Sequence, residues 1–283
     1  MSPVPFSDIG KSSSDLLSKD YPIGATKLEV NTTASNGTKF TVSGVQDHKS
    51  SAISADFKSK YPYKPSGLVL TESWTTGNVL SLEAEQSDTL VKGMKLTLLT
   101  SLLPASGQRS AKFFAEYKNA NLLTRGNVDL LKGPIITEDI VVASDGFLVG
   151  GEVAYDVAGA KVTRYNAALG YVGPDYAVAL HATNAFGSFT ASYFHKVRSD
   201  VEVGAKAHWN RSSDSSVSIE AGSKWVLDRD SFIKAKVNSA GHLGLGYSQI
   251  LRPGVKLGLG ATLDTTRLQA DVHKVGMSLA FDF

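Results

Sequence analysis

Hydrophobic and polar residues alternate one by one along most of this chain, from about residue 25 onward. In the last ten residues, KVGMSLAFDF, Val275, Met277 and Leu279 share one parity, whereas Lys274 and Gly276 share the other. Successive side chains of a β-strand point to opposite faces, so this period of two predicts a strand with one apolar face. Similar runs lie at 111–118, 201–210, 233–238, 243–247 and 255–264.

The breaks between these runs contain residues that favour turns. They include Ser35-Asn36-Gly37, Thr76-Gly77-Asn78, Ser144-Asp145-Gly146, Gly173-Pro174-Asp175 and Arg252-Pro253-Gly254. In this interpretation Pro62, Pro104 and Pro134 also fall in breaks, which suits a residue that has no N–H for a strand ladder. The pattern therefore predicts a meander of antiparallel hairpins with short connections.

One face of the predicted strands is apolar throughout, while the other carries Lys, Glu, Asp, Ser, Thr and Gly. A sheet of this length without covering helices cannot hide its apolar face in water, whereas a closed barrel in a bilayer buries that face in lipid. Strands of roughly 9–11 residues cross a bilayer, and with turns they give roughly 18–20 strands over residues 25–283. Since a barrel of about 16 or more strands encloses water, the sequence predicts an all-β membrane protein with an aqueous pore.

Residues 1–24 do not alternate, and we treat them as a separate N-terminal helix and linker. Their apolar residues lie near one side of a helix: Val4, Phe6, Ile9, Leu16 and Leu17. Ser7 is a candidate N-cap for this helix. Because an amphipathic helix this short is not stable alone in water, we expect it to dock inside the lumen. The alternative is a frayed tail.

Composition narrows the possible functions. The chain has 283 residues and a formal net charge of +2, and its mean hydropathy is −0.07. No basic stripe indicates a nucleic-acid partner, and no run of about 18 apolar residues predicts a transmembrane helix. The N-terminus lacks a basic start followed by an apolar run, so we expect no secretory signal. The chain contains no cysteine, which excludes disulfides and thiolate metal sites.

The sequence carries no motif for catalysis. No nucleophile elbow, zinc-protease motif or phosphate loop is present, and the six histidines are scattered without zinc-ligand spacing. Gly244-Leu245-Gly246 and Gly258-Leu259-Gly260 lack the third glycine of a dinucleotide fingerprint, so we interpret them as strand glycines on the pore side. We expect no enzyme, no catalytic residue, no metal and no cofactor.

The segment WVLDRDSFIKAKVNSAGHLGLGY (225–247) is similar to the signature block of the voltage-dependent anion channels, the mitochondrial outer-membrane porins, of the fungal type. Trp225 and Arg229 depart from that block, while the N-terminal PVPFSDIGKSSSDLLSKDY, KGMKL around Lys95 and LRPGVKLGLGATLD also match. The resemblance implies a 19-stranded barrel whose first and last strands pair in parallel, with a short N-terminal α-helix inside the pore.

The function implied by the resemblance is a voltage-gated, weakly anion-selective channel that passes ATP, ADP, phosphate, organic anions and small ions. The non-apolar parity carries more basic than acidic residues, which agrees with an anion preference. The family's nucleotide-contact positions match Lys11, Lys19 and Lys95, and a contact region on two adjacent strands matches His242, Leu243, Gly244, Gly260, Ala261, Thr262, Leu263 and Asp264. His242 replaces an apolar residue that is usual there. Pro22 should stiffen the linker between helix and barrel.

The final strand also resembles the family's sorting signal, through Lys274, Gly276, Leu279 and Phe281. This signal implies the outer-membrane assembly machinery as a partner. The resemblance as a whole also implies membrane lipids (sterol and phospholipid), ATP, ADP and other anionic metabolites, and a second copy of the chain in a homo-oligomer.

Glu72 breaks the pattern on the lipid side. In GLVLTESW (67–74) it shares its parity with Leu70 and Trp74, and a charge facing lipid costs up to a few kcal/mol. A local shift of register would instead turn Glu72 inward. The family has a membrane-facing glutamate at the matching position, linked to gating and lipid contact.

Two other functions fit a β-barrel. A protein-translocating barrel of the same membrane would carry a longer N-terminal extension and an acidic path, and a soluble β-barrel lipid carrier would need no bilayer. A bacterial outer-membrane porin is disfavoured because we expect no signal peptide.

Overall fold

The chain forms a single closed β-barrel in a computed structural model that describes residues 2–131, 133–211, 217–267, 269 and 273–283. The strands, numbered β1 to β19, are Ala25–Thr33, Lys39–Asp47, Ile53–Tyr63, Leu68–Thr75, Leu80–Ser87, Met94–Leu103, Gln108–Lys118, Leu122–Asp129, Ile135–Ser144, Phe147–Asp156, Lys161–Val172, Tyr176–Thr183, Ser188–Lys196, Val201–Asn210, Ser218–Val226, Ser231–Asn238, His242–Arg252, Val255–Asp264 and Lys274–Asp282. Their number agrees with the 18–20 predicted from the repeat length.

Neighbouring strands along the chain pair antiparallel, and the barrel closes by parallel pairing of β1 with β19. Leu28 stands opposite Leu279 at this seam. An odd number of strands requires one parallel pair, because an unbroken meander then ends pointing the same way as it began. We call the end of the barrel at which β1 begins the first rim, and the opposite end the second rim.

The two faces of the barrel differ as the alternation predicts. The outer face exposes large apolar side chains, including Leu28 at 47% and Trp74 at 58%. Aromatic pairs lie on this face near both rims: Phe147 with Tyr171 near the second, and Tyr165 with Phe186 and Phe189 with Trp209 near the first. An apolar band between two aromatic girdles is the outer surface of a membrane barrel. Among the described residues, no helix has the length and apolar character needed to cross a bilayer.

The N-terminal segment lies inside the barrel. It consists of a 3₁₀ turn at Phe6–Asp8 and helix α1 at Lys11–Ser18. Ser7 is not the N-cap, contrary to our prediction. Gly10, in the left-handed conformation (φ 75°), precedes the helix instead, because the chain must turn there to place both halves of the segment against the wall.

The apolar side of this segment faces the barrel wall, as predicted. The relevant side chains are almost fully buried: Phe6, Ile9, Leu16 and Leu17. Phe6 and Ile9 form a small core with Val141 and Leu148, and α1 packs against β13, β14 and β15.

One detail of the sequence interpretation was wrong. Pro62 lies inside β3 and stands opposite Val69, not in a break. It is tolerated because it is the last residue but one of the strand, where few ladder bonds remain to be lost. Phe114, an apolar residue on the polar parity of the 111–118 run, faces the lumen between Thr97 and Asn127, as its parity predicts.

Candidate functional site

A band of small residues crosses the inner wall from β10 to β19, interrupted at β16 by Lys234 and Lys236. We call it the glycine band; its members are Gly150, Gly170, Ala179, Ser192, Gly204, Gly222, Gly246, Gly260 and Gly276. A Cβ built at Gly204 would come within 2.8 Å of Leu16 Cδ2, and one at Gly222 within 2.8 Å of Leu17 Cδ2. The band is therefore the surface against which the N-terminal segment packs.

The linker follows the same band towards the first rim. The main chain of Asp20 lies against Gly246, and the main chain of Pro22 lies against Gly260 and Gly276. These strand glycines face the lumen, as predicted, and the structure supplies their reason: any side chain would displace the linker backbone.

Two wall lysines hold the C-terminal end of α1. Lys234 Nζ donates to the carbonyl oxygens of Asp15 (3.2 Å) and Lys19 (2.9 Å). Lys236 Nζ donates to the carbonyl oxygen of Leu17 at 2.6 Å. The last carbonyls of a helix have no partner within the helix and carry partial negative charge, so the lysines stabilise this end by hydrogen bonding and by charge.

The linker residues Asp20 and Tyr21 also contact lysines of the wall. The Asp20 carboxylate lies 3.4 Å from Lys234 Nζ and 3.0 Å from Lys256 Nζ. The Tyr21 ring lies beneath Lys234 and Lys236, with Lys236 Nζ 4.8 Å from its centroid. We call these five residues the linker clamp.

Both ionisable groups that the linker contributes to the clamp have shifted pKa values. Burial acts to raise the pKa of Asp20, but the hydrogen bond and charge of Lys256 and the charge of Lys234 outweigh it and hold the pKa below its ordinary value. Burial, together with the charges of Glu220 and Asp20, raises the pKa of Tyr21. The clamp therefore joins an ionised carboxylate to a neutral phenol.

Three of the predicted nucleotide-contact lysines lie in the lumen, each paired with an acid. Lys11 is 2.9 Å from Asp8 and Lys19 is 2.7 Å from Asp15. The hydrogen bond and charge of Asp8 raise the pKa of Lys11. Lys95, on β6, is 2.9 Å from Glu85. Since α1 packs against β13 to β15, the structure places the helix lysines and Lys95 on different walls.

The predicted contact region on β17 and β18 is a true pair of neighbours, with His242 opposite Asp264 and Gly244 opposite Thr262. Its side chains are divided between the two faces. Leu243, Ala261 and Leu263 have the outward parity, so a ligand in the lumen cannot meet their side chains.

The inward members of this region are partly covered. Gly244 lies under the Lys236 side chain, and Gly260 lies under Pro22. The Asp264 carboxylate accepts hydrogen bonds from Thr266 and Arg267. His242 and Thr262 complete the inward set.

A row of charges that the sequence interpretation did not assemble crosses the wall from β6 to β10. Its members stand opposite one another in the strand register: Lys95, Glu116, Arg125, Asp139 and Glu152. Arg125 donates to Asp139 at 2.7 Å, and Arg164 lies 3.1 Å from Glu152. All five lie on the non-apolar parity of their strands, but their alignment depends on the register, which alternation alone does not give.

The outer face carries the predicted acid and one that was missed. Glu72 is exposed, between Leu70 and Trp74 on the outward parity and opposite Leu82, so its register is not shifted. Glu138 on β9 is also exposed and outward, between Ile136 and Ile140. The same parity argument applied to IITEDIVV (135–142) would have found it.

The predicted sorting residues lie on the last strand, β19. Lys274 and Gly276 face the lumen, and Leu279 and Phe281 face outward. The polar and the apolar halves of the motif therefore lie on opposite faces of one strand.

Comparison with known proteins gives similarity over the whole chain. The model of the family described as eukaryotic porin matches residues 2–276. A mitochondrial outer membrane protein porin of Candida albicans is 45% identical over 282 residues, covering 99% of each chain. The voltage-dependent anion-selective channel of Drosophila melanogaster and the non-selective voltage-gated ion channel 1 of Saccharomyces cerevisiae are each 37% identical, covering 100% of both chains.

Proposed function

The chain belongs to the eukaryotic porin family and is a voltage-gated channel of the mitochondrial outer membrane, and we propose that it passes ATP, ADP, phosphate and organic anions with a weak preference for anions. The observation that carries the proposal is the closed barrel whose apolar face is outside and whose charged face lines a lumen. A soluble lipid carrier would have to shield the exposed apolar outer face.

The anion preference follows from the charges of the wall that holds α1. Lysines face the lumen on four of the five strands from β14 to β18: Lys206, Lys224, Lys234, Lys236 and Lys256. Glu202 and Glu220 oppose them. Excess positive charge on a pore wall raises the local concentration of anions.

Lys11, Lys19 and Lys95 are the groups best placed to meet a nucleotide in transit. Their side chains are 52%, 60% and 41% exposed to the lumen. Exposed ion pairs contribute only about 0–1 kcal/mol, so a polyphosphate can replace the Asp8, Asp15 or Glu85 partner at little cost. Contacts on β17 and β18 would be limited to His242, Thr262 and backbone groups.

The outer face and the last strand suggest the remaining partners. We infer that Glu72 contacts sterol or phospholipid, because its carboxyl lies among apolar side chains that face lipid. The assembly machinery would recognise β19 through Lys274, Gly276, Leu279 and Phe281. A second copy of the chain would pack on the same apolar outer face.

The experiment that tests the proposal is planar-bilayer recording of the purified chain across a potassium chloride gradient. We expect a reversal potential with the sign of anion preference, and a shift of that potential towards cation preference for Lys206→Glu. A reversal potential of cation sign in the unmodified protein would contradict the anion preference. Absence of conductance steps would contradict the channel itself.

A further inference from the structure

We propose that Glu138 is a binding site on the outer face for the primary ammonium headgroup of a phospholipid. Among the described strands, Glu138 and Glu72 are the two acids of outward parity away from strand ends. Glu138 Oε1 accepts a hydrogen bond from Thr124 Oγ at 3.4 Å. No cation within the described part of the chain forms an ion pair with it.

The position of Glu138 along β9 brings it within reach of lipid headgroups. It is the fourth residue of β9 from the first rim. Ile136, the next outward residue towards that rim, stands opposite Tyr155, an exposed aromatic residue of β10 near the same rim as the Tyr165–Phe186 and Phe189–Trp209 pairs. Glu138 therefore lies one outward-facing residue closer to the bilayer centre than the aromatic girdle. At this depth the hydrocarbon region begins, and a lipid headgroup can still reach the carboxylate.

Two glycines leave a recess beside the carboxylate. Gly126 stands opposite Glu138 on β8, and a Cβ built there would have no atom within 4 Å. Gly151, opposite Ile140 on β10, is the diagonal neighbour on the other side, and its Cβ would touch only a backbone oxygen at 3.9 Å. The recess thus gives access to the carboxylate from the lipid between two strands.

The chemistry of the recess selects the occupant. A carboxylate at the edge of hydrocarbon is stabilised by an opposite charge and by hydrogen-bond donors. A primary ammonium supplies one positive charge and three N–H donors, enough for both Glu138 oxygens and the Thr124 hydroxyl oxygen. A quaternary ammonium supplies the charge but no donor. The site therefore prefers phosphatidylethanolamine to phosphatidylcholine.

The test is zero-length crosslinking of the full chain in vesicles that contain both phospholipids. A membrane-permeant carbodiimide activates the carboxyl, and the lipid amine then displaces the urea to form an amide. Peptide mass spectrometry should find the lipid adduct at Glu138, with a yield that saturates as the phosphatidylethanolamine fraction rises. The adduct should be absent in Glu138→Gln and in vesicles of phosphatidylcholine alone.

Two variants distinguish specific binding of the lipid amine at Glu138 from random collisions with the activated carboxyl. Gly126→Leu fills the recess on the outer face, and we expect it to lower the amide yield at Glu138 roughly tenfold while direct carbodiimide addition continues. Glu83→Gln, in the lumen, should leave the yield unchanged. A yield that rises linearly with the lipid fraction, or that Gly126→Leu leaves unchanged, would overturn the proposal.

Discussion

Lys234 shows at the level of one side chain how the lumen holds the N-terminal segment. Its side chain is only 4% exposed, and burying an ammonium is costly unless its donors find acceptors. The carbonyls of Asp15 and Lys19 and the Asp20 carboxylate supply three acceptors. The lysine and the helix end therefore depend on each other.

Replacing Lys234 by methionine should weaken the docking of the N-terminal segment without leaving a cavity at position 234. Hydrogen bonds to a charged group contribute about 1.5–3 kcal/mol, so we expect the docking equilibrium to weaken at least roughly tenfold. The chain has no cysteine, so a spin label at Ser14→Cys reports the change as faster motion.

Lys224→Met is the matched control, because Lys224 pairs with Glu202 on the wall and not with the segment. Equal label mobility in the two variants would show that the helix end does not depend on Lys234.

Asp20 gives the same segment a dependence on pH. The pKa of Asp20 lies below the ordinary 3.8 in the docked state. Asp20 therefore stabilises docking fully above the ordinary pKa, and this stabilisation is lost as the pH falls through the lowered pKa. We expect the Ser14 label to become more mobile below about pH 4.

Asp8 and Asp15 are the other two acids of the N-terminal segment, and Asp20→Asn separates the contribution of Asp20 from theirs. In that variant the label should be more mobile already at neutral pH and should change less on acidification. An unchanged pH profile would assign the effect to the other two carboxyls.

The glycine band shows how the N-terminal segment and the barrel strands pack together. The sequence alone predicted which way these glycines face but not what they contact. Alternation placed Gly244, Gly246, Gly258 and Gly260 on the pore side, because parity within a strand is a local property. The need for glycine at Gly246 and Gly260 comes from the linker, more than 200 residues away in the chain, which no local pattern encodes.

The candidate site was predictable to the same limited extent. The apolar residues of the N-terminal segment were correctly assigned to one buried face. The break at Gly10 was not, because it is set by the shape of the wall. Likewise the β17–β18 region was correctly placed on neighbouring strands by resemblance, but Leu243, Ala261 and Leu263 share a parity that takes them to the lipid side.

Filling the band should displace α1. In Gly222→Val the new side chain would meet Leu17 Cδ2 and the main chain of Ala235, so we expect the Ser14 label to become mobile while the barrel still assembles.

Gly44→Val is the control for Gly222→Val, because Gly44 lies on the outer face with open space around its Cβ position. Loss of folded barrel in the Gly222 variant, seen as lost β-sheet circular dichroism, would mean that the band serves the strands and not the helix.

The whole molecule divides its charges unevenly between two walls. The wall that holds α1 is rich in lysine, and several of those lysines bind the N-terminal segment. The wall from β6 to β9 alternates basic and acidic residues in register, and Glu152 on β10 pairs with Arg164 on β11, so their fields largely cancel at a distance. Net selectivity should therefore originate from the helix-bearing wall and should be modest.

A selectivity that comes from the field of the wall must weaken with salt. The Debye length is about 10 Å at 0.1 M and about 3 Å at 1 M, so wall charges act across the lumen water in dilute salt and only near the wall in concentrated salt. We expect a twofold gradient centred near 0.1 M to give a larger anion-signed reversal potential than one near 1 M. Lys206→Glu, on the inward parity of β14 in the helix-bearing wall, should reduce the potential in dilute salt, whereas Arg109→Glu, on the outward parity of β7, should not. A potential independent of salt would instead indicate that anions are selected by binding or by size, because neither depends on a field that salt can screen.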